Sequence, residues 1–395
     1  MSKEKRTDFR RKKIGWISFL FMDMHLHKTS RIEILRHLAK RGHEVFLIAL
    51  HSRKKHQPKT TDIPIISIPL RYVPYLSSVV YVLLLFLFLP FYLVRLNPDI
   101  IITEPRDVTV FGLTSILLFP RCRRPKVVLD IRSTPVSFEH MKRLLFNTTV
   151  CIAKKLFDGI TIITPMMKEE ICNKFHIDPK SVGVWSDGVS ATLFKPENYN
   201  ETTMRKRLGL HDNFVIFYHG SLSKGRGIPE SIKSIKILES SHPNIVLFLL
   251  GEGKALPGIR EQIQKSGVQD RVIIHDVVDY EDVPKFIAMC DVGIVPLPNM
   301  NIWRHQCPLN LLEYLAMKKV VIATDIPANR QVMEKSKCGI YISSPDPEEI
   351  SKAMIYAYDN KEKLREWGLC GRAIIEEKYT WEKVAEDFEG YALKL

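Results

Sequence analysis

The chain reads as an α/β protein of two successive parallel sheets, and three features predict this. Short, uncharged, apolar runs recur along its length, amphipathic stretches at helical spacing separate them, and a polar break near the middle divides them into two series. At 395 residues the chain is long for one domain and comfortable for two. Its apolar fraction of 45% and charged fraction of 26% supply the core and surface of a globular protein.

The first series places strands at 14–21, 45–49, 100–103, 127–130, 160–164 and 182–185. The second places them at 215–219, 246–250, 272–275, 292–296, 320–323 and 339–342. Runs this apolar suit strands covered on both faces, which is the condition of a parallel sheet under helices. The segment from Lys195 to Thr203, with Pro196 and several Asn and Glu residues, is the expected linker. The expectation is therefore two Rossmann-like domains facing a cleft, 1–195 and 196–375. Ligands belong at the carboxyl ends of the strands. The tail from Pro347 reads as helical, and 376–395 is expected as a helix packing back on the first domain.

One segment departs from the pattern. Val79 to Val94 carries no charge and contains Pro90; it is shorter than the roughly 20 residues a spanning helix needs. It reads either as a core helix or as one whose outer face enters the bilayer interface beside Arg71, Tyr72, Tyr75 and Arg95.

Lysine and arginine total 58 against 44 acidic residues, a net charge of +14. Much of the excess lies in 3–13 and in Arg121, Arg123, Arg124 and Lys126. These clusters suit anionic lipid or an anionic substrate; they lack interleaved aromatics, so nucleic acid is not indicated. Seven scattered cysteines without a CxxC pair argue against a zinc site or a disulfide framework and for a reducing compartment. Asn147-Thr148-Thr149 and Asn200-Glu201-Thr202 match a glycosylation sequon, a pattern short enough to arise by chance. The basic N-terminus and the run 14–22 lack a small-residue cleavage site and read as a first strand, not a signal peptide.

Three places carry chemistry. Tyr218-His219-Gly220-Ser221-Leu222-Ser223-Lys224-Gly225-Arg226-Gly227 follows a strand and precedes a helix at Pro229. Its glycines let backbone amides approach a phosphate, and Lys224 and Arg226 add positive charge. Pro308 to Val332 opens with a helix on which Leu311, Leu312 and Leu315 face inward, with Glu313 near its start. A phosphorylated ligand across that N-terminus would present hydroxyls to Glu313. In the first half, Asp130 and Arg132 end a strand, either to position a ligand or as a structural ion pair.

These motifs resemble glycosyltransferase family 4, retaining enzymes of the GT-B fold; the resemblance implies that 1–195 binds the acceptor and 196–375 the nucleotide-sugar donor. The glycine loop is similar to the family's Gly-Arg-Leu-x-x-x-Lys-Gly motif: Gly220, Leu222 and Gly227 match, Arg226 takes the lysine position and Ser221 replaces the arginine. Lys224 is the candidate replacement for that missing cation. The resemblance implies that Glu313 holds the donor ribose, with Asn310 and Leu311 beside it. It further places Gly251 and Gly253 beneath the nucleotide and Val277 against the nucleobase. The family's earlier glutamate, eight residues before the later one, falls at His305, an imidazole in place of a carboxylate. Trp185-Ser186-Asp187-Gly188-Val189 followed by Phe194-Lys195-Pro196 looks like the family's Asn-Gly-Val-Asp-x-x-x-Phe-x-Pro turn, read as structural. The turn Met22–His27 stands where many relatives carry a glycine pair, and Arg31 to Val45 resembles the first helix with its Gly-His-x-Val ending.

The expected function is retaining transfer from a UDP- or GDP-linked sugar to a lipid-linked or other cell-envelope glycan, at the cytosolic face of a membrane. No cofactor or metal is expected, since no Asp-x-Asp pair follows a strand. The alternatives are a non-catalytic scaffold of the same architecture and a sugar-nucleotide 2-epimerase.

Overall fold

The computed structural model describes residues 11–21, 29–51, 62–70, 73, 76–105, 109–135, 140–334 and 337–395. The turn Met22–His27, the basic residues of 3–10, and Arg71, Tyr72 and Tyr75 lie outside these residues. The chain divides into two compact units, 1–186 with 384–395, and 187–383.

The first unit holds a seven-stranded sheet in the order β3-β2-β1-β4-β5-β6-β7. The strands are β1 Lys13–Phe21, β2 Glu44–His51, β3 Ile65–Pro69, β4 Ile100–Thr103, β5 Lys126–Ile131, β6 Gly159–Ile162 and β7 Val182–Val184. All the pairings are parallel. β3 was absent from the expected set, for a physical reason. Ile65–Pro69 is a half-exposed edge strand ending in proline, so neither a continuous buried run nor proline-free composition marks it.

The second unit holds a six-stranded parallel sheet in the order β10-β9-β8-β11-β12-β13. Its strands are β8 Phe214–His219, β9 Ile245–Leu250, β10 Val272–His275, β11 Val292–Val295, β12 Val320–Thr324 and β13 Gly339–Ile342. β8, β9, β11 and β12 are buried at every position, as strands between two helix layers must be. Chain order reverses between β8 and β11, the switch point where parallel sheets open a crevice for ligands.

The division falls at Ser186, ahead of the polar segment from Lys195. Residues 187–195 are gripped within the second unit. Val189 N–H donates to Tyr379 O at 2.9 Å, and Arg372 donates to Ala191 O at 3.1 Å and Phe194 O at 2.7 Å. The polar stretch is itself ordered as a short turn at Pro196–Asn198 and the helix Glu201–Leu208, capped by Asn200. The tail forms helices Pro347–Asp359, Lys361–Ile374 and Trp381–Ala392. Its last residues lie in the first unit. There Glu389, 3% exposed, accepts from Arg41 and lies 2.6 Å from His43 Nε2, and Tyr391 donates to Ser181 O at 2.8 Å.

The apolar stretch is a helix over Leu76–Leu96 with Pro90 inside it. Only Ser77, Tyr81, Leu85, Leu89 and Leu93, four residues apart, are buried. Tyr81 meets Phe19 at 5.1 Å, and Gly112 leaves room for Leu85, whose nearest carbon would lie 2.8 Å from a β-carbon there. The outer face is apolar too: Val79 is 58% exposed, Leu87 67%, Phe91 60% and Val94 71%. Leu117 and Leu118 are also exposed, a few residues ahead of Arg121, Arg123 and Arg124.

Candidate functional site

At the switch point of the second sheet the β8–β11 ladder runs only to Phe217 and Gly293. Beyond it one side chain replaces the lost strand. The buried Tyr314 hydroxyl donates to Phe217 O at 2.9 Å and accepts from the His219 amide at 3.1 Å. The tyrosine ring fits because position 293 is glycine; a β-carbon there would lie 2.5 Å from it. The two strands can thus diverge without leaving buried backbone groups unpaired.

Into this opening run the turns after β8 and β9, joined backbone to backbone. Gly220 N donates to Leu250 O at 3.0 Å, Leu222 N to Glu252 O at 2.8 Å and Ala255 N to Leu222 O at 3.0 Å. Gly251 is required here, since a β-carbon would lie 2.0 Å from Gly220 O. Gly251 and Gly253 therefore buttress the loop that starts at Gly220. At the loop's far end Gly227, φ +71°, caps the helix Ile228–Ile237, and a β-carbon would lie 2.0 Å from Pro296 O. The helix begins without a side-chain cap and with proline in its first turn, leaving its positive end to a ligand or water.

Arg226 is anchored beside that end. Its Nε donates to Ser223 Oγ at 3.1 Å, and its guanidinium carbon lies 4.8 Å from the centre of the Trp303 ring. Lys224 is exposed, with no such anchorage among the described contacts. Ser221 is half-buried and its carbonyl accepts from Tyr218 at 3.0 Å. The helix Leu309–Ala316 lines the opening. Asn310 Nδ2 reaches His219 O at 3.4 Å, whereas Leu311 is fully buried and its amide is used by Asn310 Oδ1 at 3.0 Å. Leu311 is thus a packing residue, and its amide is already committed within the protein.

Glu313 differs from the expected open carboxylate: it is 4% exposed. Its Oε2 lies 3.2 Å from His219 Nε2. Burial raises the Glu313 carboxyl to about 8, opposed by a hydrogen bond with Tyr280 and reinforced by Asp187. Burial lowers His219 to about 3. Both shifts favour the uncharged form of the group, so burial disfavours a charge stranded in the interior. His305 is half-buried directly after the short helix Asn301–Arg304, and Val277 is half-buried in the turn after β10.

Of the two expected readings of the Asp130–Arg132 pair, the contacts favour the structural one over the ligand-positioning one. Asp130 is 0% exposed, since β5 is buried at every position from Val127 to Ile131. It accepts from Thr161 at 2.7 Å, and burial raises its carboxyl to about 7 against the lowering effects of Arg132 and Thr161. Arg132 donates to the carbonyls of Trp185 at 3.0 Å and Ser186 at 3.2 Å and lies 3.7 Å from the centre of the Trp185 ring. These bonds pin the end of the first unit; they make the pair structural.

Sequence reading missed Tyr314, His219 and Trp303. Each acts through contacts between distant segments, and only the apolar pattern around Tyr314 carries any local signal.

Residues 200–373 match the family model described as glycosyl transferases group 1, and residues 29–193 match glycosyltransferase family 4. An alpha-D-kanosaminyltransferase of Streptomyces kanamyceticus is 24% identical over 61% of this chain and 63% of its own length. A GDP-mannose-dependent alpha-(1-6)-phosphatidylinositol monomannoside mannosyltransferase of Mycolicibacterium smegmatis is 23% identical over 49% of this chain and 51% of its own. The chain thus spans less than two thirds of either relative. The fold is similar to that of Anabaena HepE in complex with UDP-glucose, at a TM-score of 0.77 and 15% identity over 98% of this chain and 100% of that one.

Proposed function

We propose that this chain, which belongs to the group 1 glycosyltransferases of family 4, moves a sugar from a nucleotide-sugar to a lipid-linked or other cell-envelope glycan. The observation that carries the reading is Arg226, held by Ser223 and Trp303 beside the uncapped start of the helix Ile228–Ile237. Transfer breaks the bond between the sugar's anomeric carbon and the β-phosphate oxygen, and negative charge grows on the departing diphosphate. A fixed guanidinium and a helix N-terminus lower the energy of that charge most when they need not reorganise.

Gly220, Ser221, Gly251 and Gly253 form the floor under the donor, with Lys224 as an auxiliary cation at the loop surface. Glu313 receives the ribose hydroxyls, Asn310 holds the loop start against the helix, and Val277 lies by the nucleobase. His305 takes a sugar hydroxyl, for which an imidazole serves as donor or acceptor. The new bond forms on the face the diphosphate leaves, so configuration is retained without a protein nucleophile. The acceptor's proton goes to the departing phosphate oxygen. Arg226, Lys224 and the helix end supply the charge that a metal ion provides elsewhere, so the reaction is expected to proceed in chelator.

The membrane setting rests on the helix Leu76–Leu96. The helix is apolar on both faces, yet only the stripe Ser77, Tyr81, Leu85, Leu89 and Leu93 is buried. Because its inner stripe is committed to the first unit's core, the helix lies along a bilayer interface with its outer face immersed. The exposed Leu117 and Leu118, followed by Arg121, Arg123 and Arg124, suit the boundary between acyl chains and anionic headgroups. These features support a reading of the enzyme as peripheral to the cytosolic leaflet, beside a lipid-linked acceptor.

The test is incubation of purified protein with UDP- and GDP-sugars, with and without extracted membrane lipids. Release of diphosphate that depends on lipid, with sugar appearing on the lipid, supports the reading. Donor conversion without an acceptor points to an epimerase, and inertness toward every donor points to a scaffold.

A further inference from the structure

Trp303 sits on the helix Asn301–Arg304, 6% exposed. A buried indole needs an acceptor for its N–H, and this one finds it in a loop 78 residues away: Nε1 donates to Gly225 O at 3.0 Å. Gly225, φ +74°, precedes Arg226, so the bond fixes the backbone from which the guanidinium projects. The same ring lies 4.8 Å from the Arg226 guanidinium carbon, within cation–π range. One side chain thus sets both the root and the tip of Arg226. A planar guanidinium gains more from an aromatic face than a compact ammonium does, which suits arginine to this position.

We infer that Trp303 is a positioning residue for the leaving-group cation, coupling the segment after β11 to the glycine loop after β8. The inference rests on reading that loop as the diphosphate site. A loop fixed in advance loses less freedom when the diphosphate arrives, so the benefit belongs to ligands that carry the second phosphate. It does not extend to nucleosides or monophosphates.

The experiment is calorimetric titration of the full chain with UDP and GDP, with UMP and GMP as controls. The proteins are wild type, Trp303→Leu, Trp303→Phe, Arg226→Ala and the Arg226→Ala/Trp303→Leu double variant. Trp303→Leu is expected to weaken diphosphate binding roughly 3- to 30-fold, the scale of a lost cation–π contact, and to leave monophosphate binding unchanged. Trp303→Phe keeps a ring face and fills most of the space but loses the N–H. It should show a smaller loss, about 3-fold, again confined to diphosphates. In the Arg226→Ala background, Trp303→Leu should add no more than about 3-fold, the share of the lost N–H, because the guanidinium partner is gone. Equal losses for mono- and diphosphates in either variant, or full additivity with Arg226→Ala, would overturn the inference and leave the donor site standing. Wild-type protein that binds neither diphosphate would overturn the donor site itself and the inference with it.

Discussion

Replacing Glu313 by glutamine tests the donor site through a proton. In the free protein burial holds this carboxyl near 8, so at pH 7 it is mostly protonated beside a neutral His219. A ribose whose hydroxyls donate to Glu313 binds the carboxylate, so binding expels a proton. Affinity must then rise with pH up to the free-state value and level off above it. The ionised fraction of a group at about 8 grows from about 1% at pH 6 to about 50% at pH 8, which implies a gain of about 50-fold in affinity. At pH 7 the deprotonation costs on the order of 1 kcal/mol, set against about 1.5–3 kcal/mol for hydrogen bonds to a charged acceptor. Glu313→Gln has no proton to lose and its profile should lack this rise. It should also fold, because glutamine replaces a carboxyl that is already neutral in the buried state. The assay is titration of nucleoside diphosphate into both proteins from pH 6 to 9. Phosphate and base titrate alike in both, so the ratio of affinities isolates the carboxylate. Parallel profiles, or equal affinities throughout, would refute the reasoning.

Two further outcomes follow from the first unit. Asp130 has its folded value raised to about 7, so its favourable contribution is complete below its unfolded value near 4 and is lost as pH rises through 7. Three units correspond to about 4 kcal/mol, lost between pH 4 and 7, and Asp130→Asn should flatten the decline in urea midpoint over that range; an unchanged slope would contradict this. The protein should sediment with anionic vesicles, with salt weakening but not abolishing the binding, and Leu87→Asp with Phe91→Asp should release it at low salt. Wild-type protein left in the supernatant at low salt would contradict the interfacial reading.

The sheets were legible because fully buried parallel strands are written as unbroken apolar runs such as Ile100–Thr103 and Val320–Thr324. β3 was not, because an edge strand needs no such run. The glycine loop was legible for its local chemistry, since Gly227 takes a positive φ at the start of the helix it caps. What lay beyond reading was the direction of individual side chains. Asp130 falls near the end of β5 and Glu313 in the middle of the helix Leu309–Ala316; a charged side chain is expected to find solvent at either, yet packing encloses both. Trp303 could not be assigned at all, since its partners Gly225 and Arg226 become neighbours only when β8 and β11 pair.

The central claim is that Arg226 stabilises a departing diphosphate, and single-turnover transfer at saturating donor measures it most directly. Wild type, Arg226→Ala and Arg226→Ala with Ser221→Arg would be compared, each checked for an unchanged melting temperature. Arg226→Ala is expected to slow the chemical step by about 10²–10³-fold, the scale of losing one preorganised donor. Arginine at position 221 should recover part of that loss by reaching the same charge from the neighbouring site. A chemical step unchanged in Arg226→Ala would contradict the account.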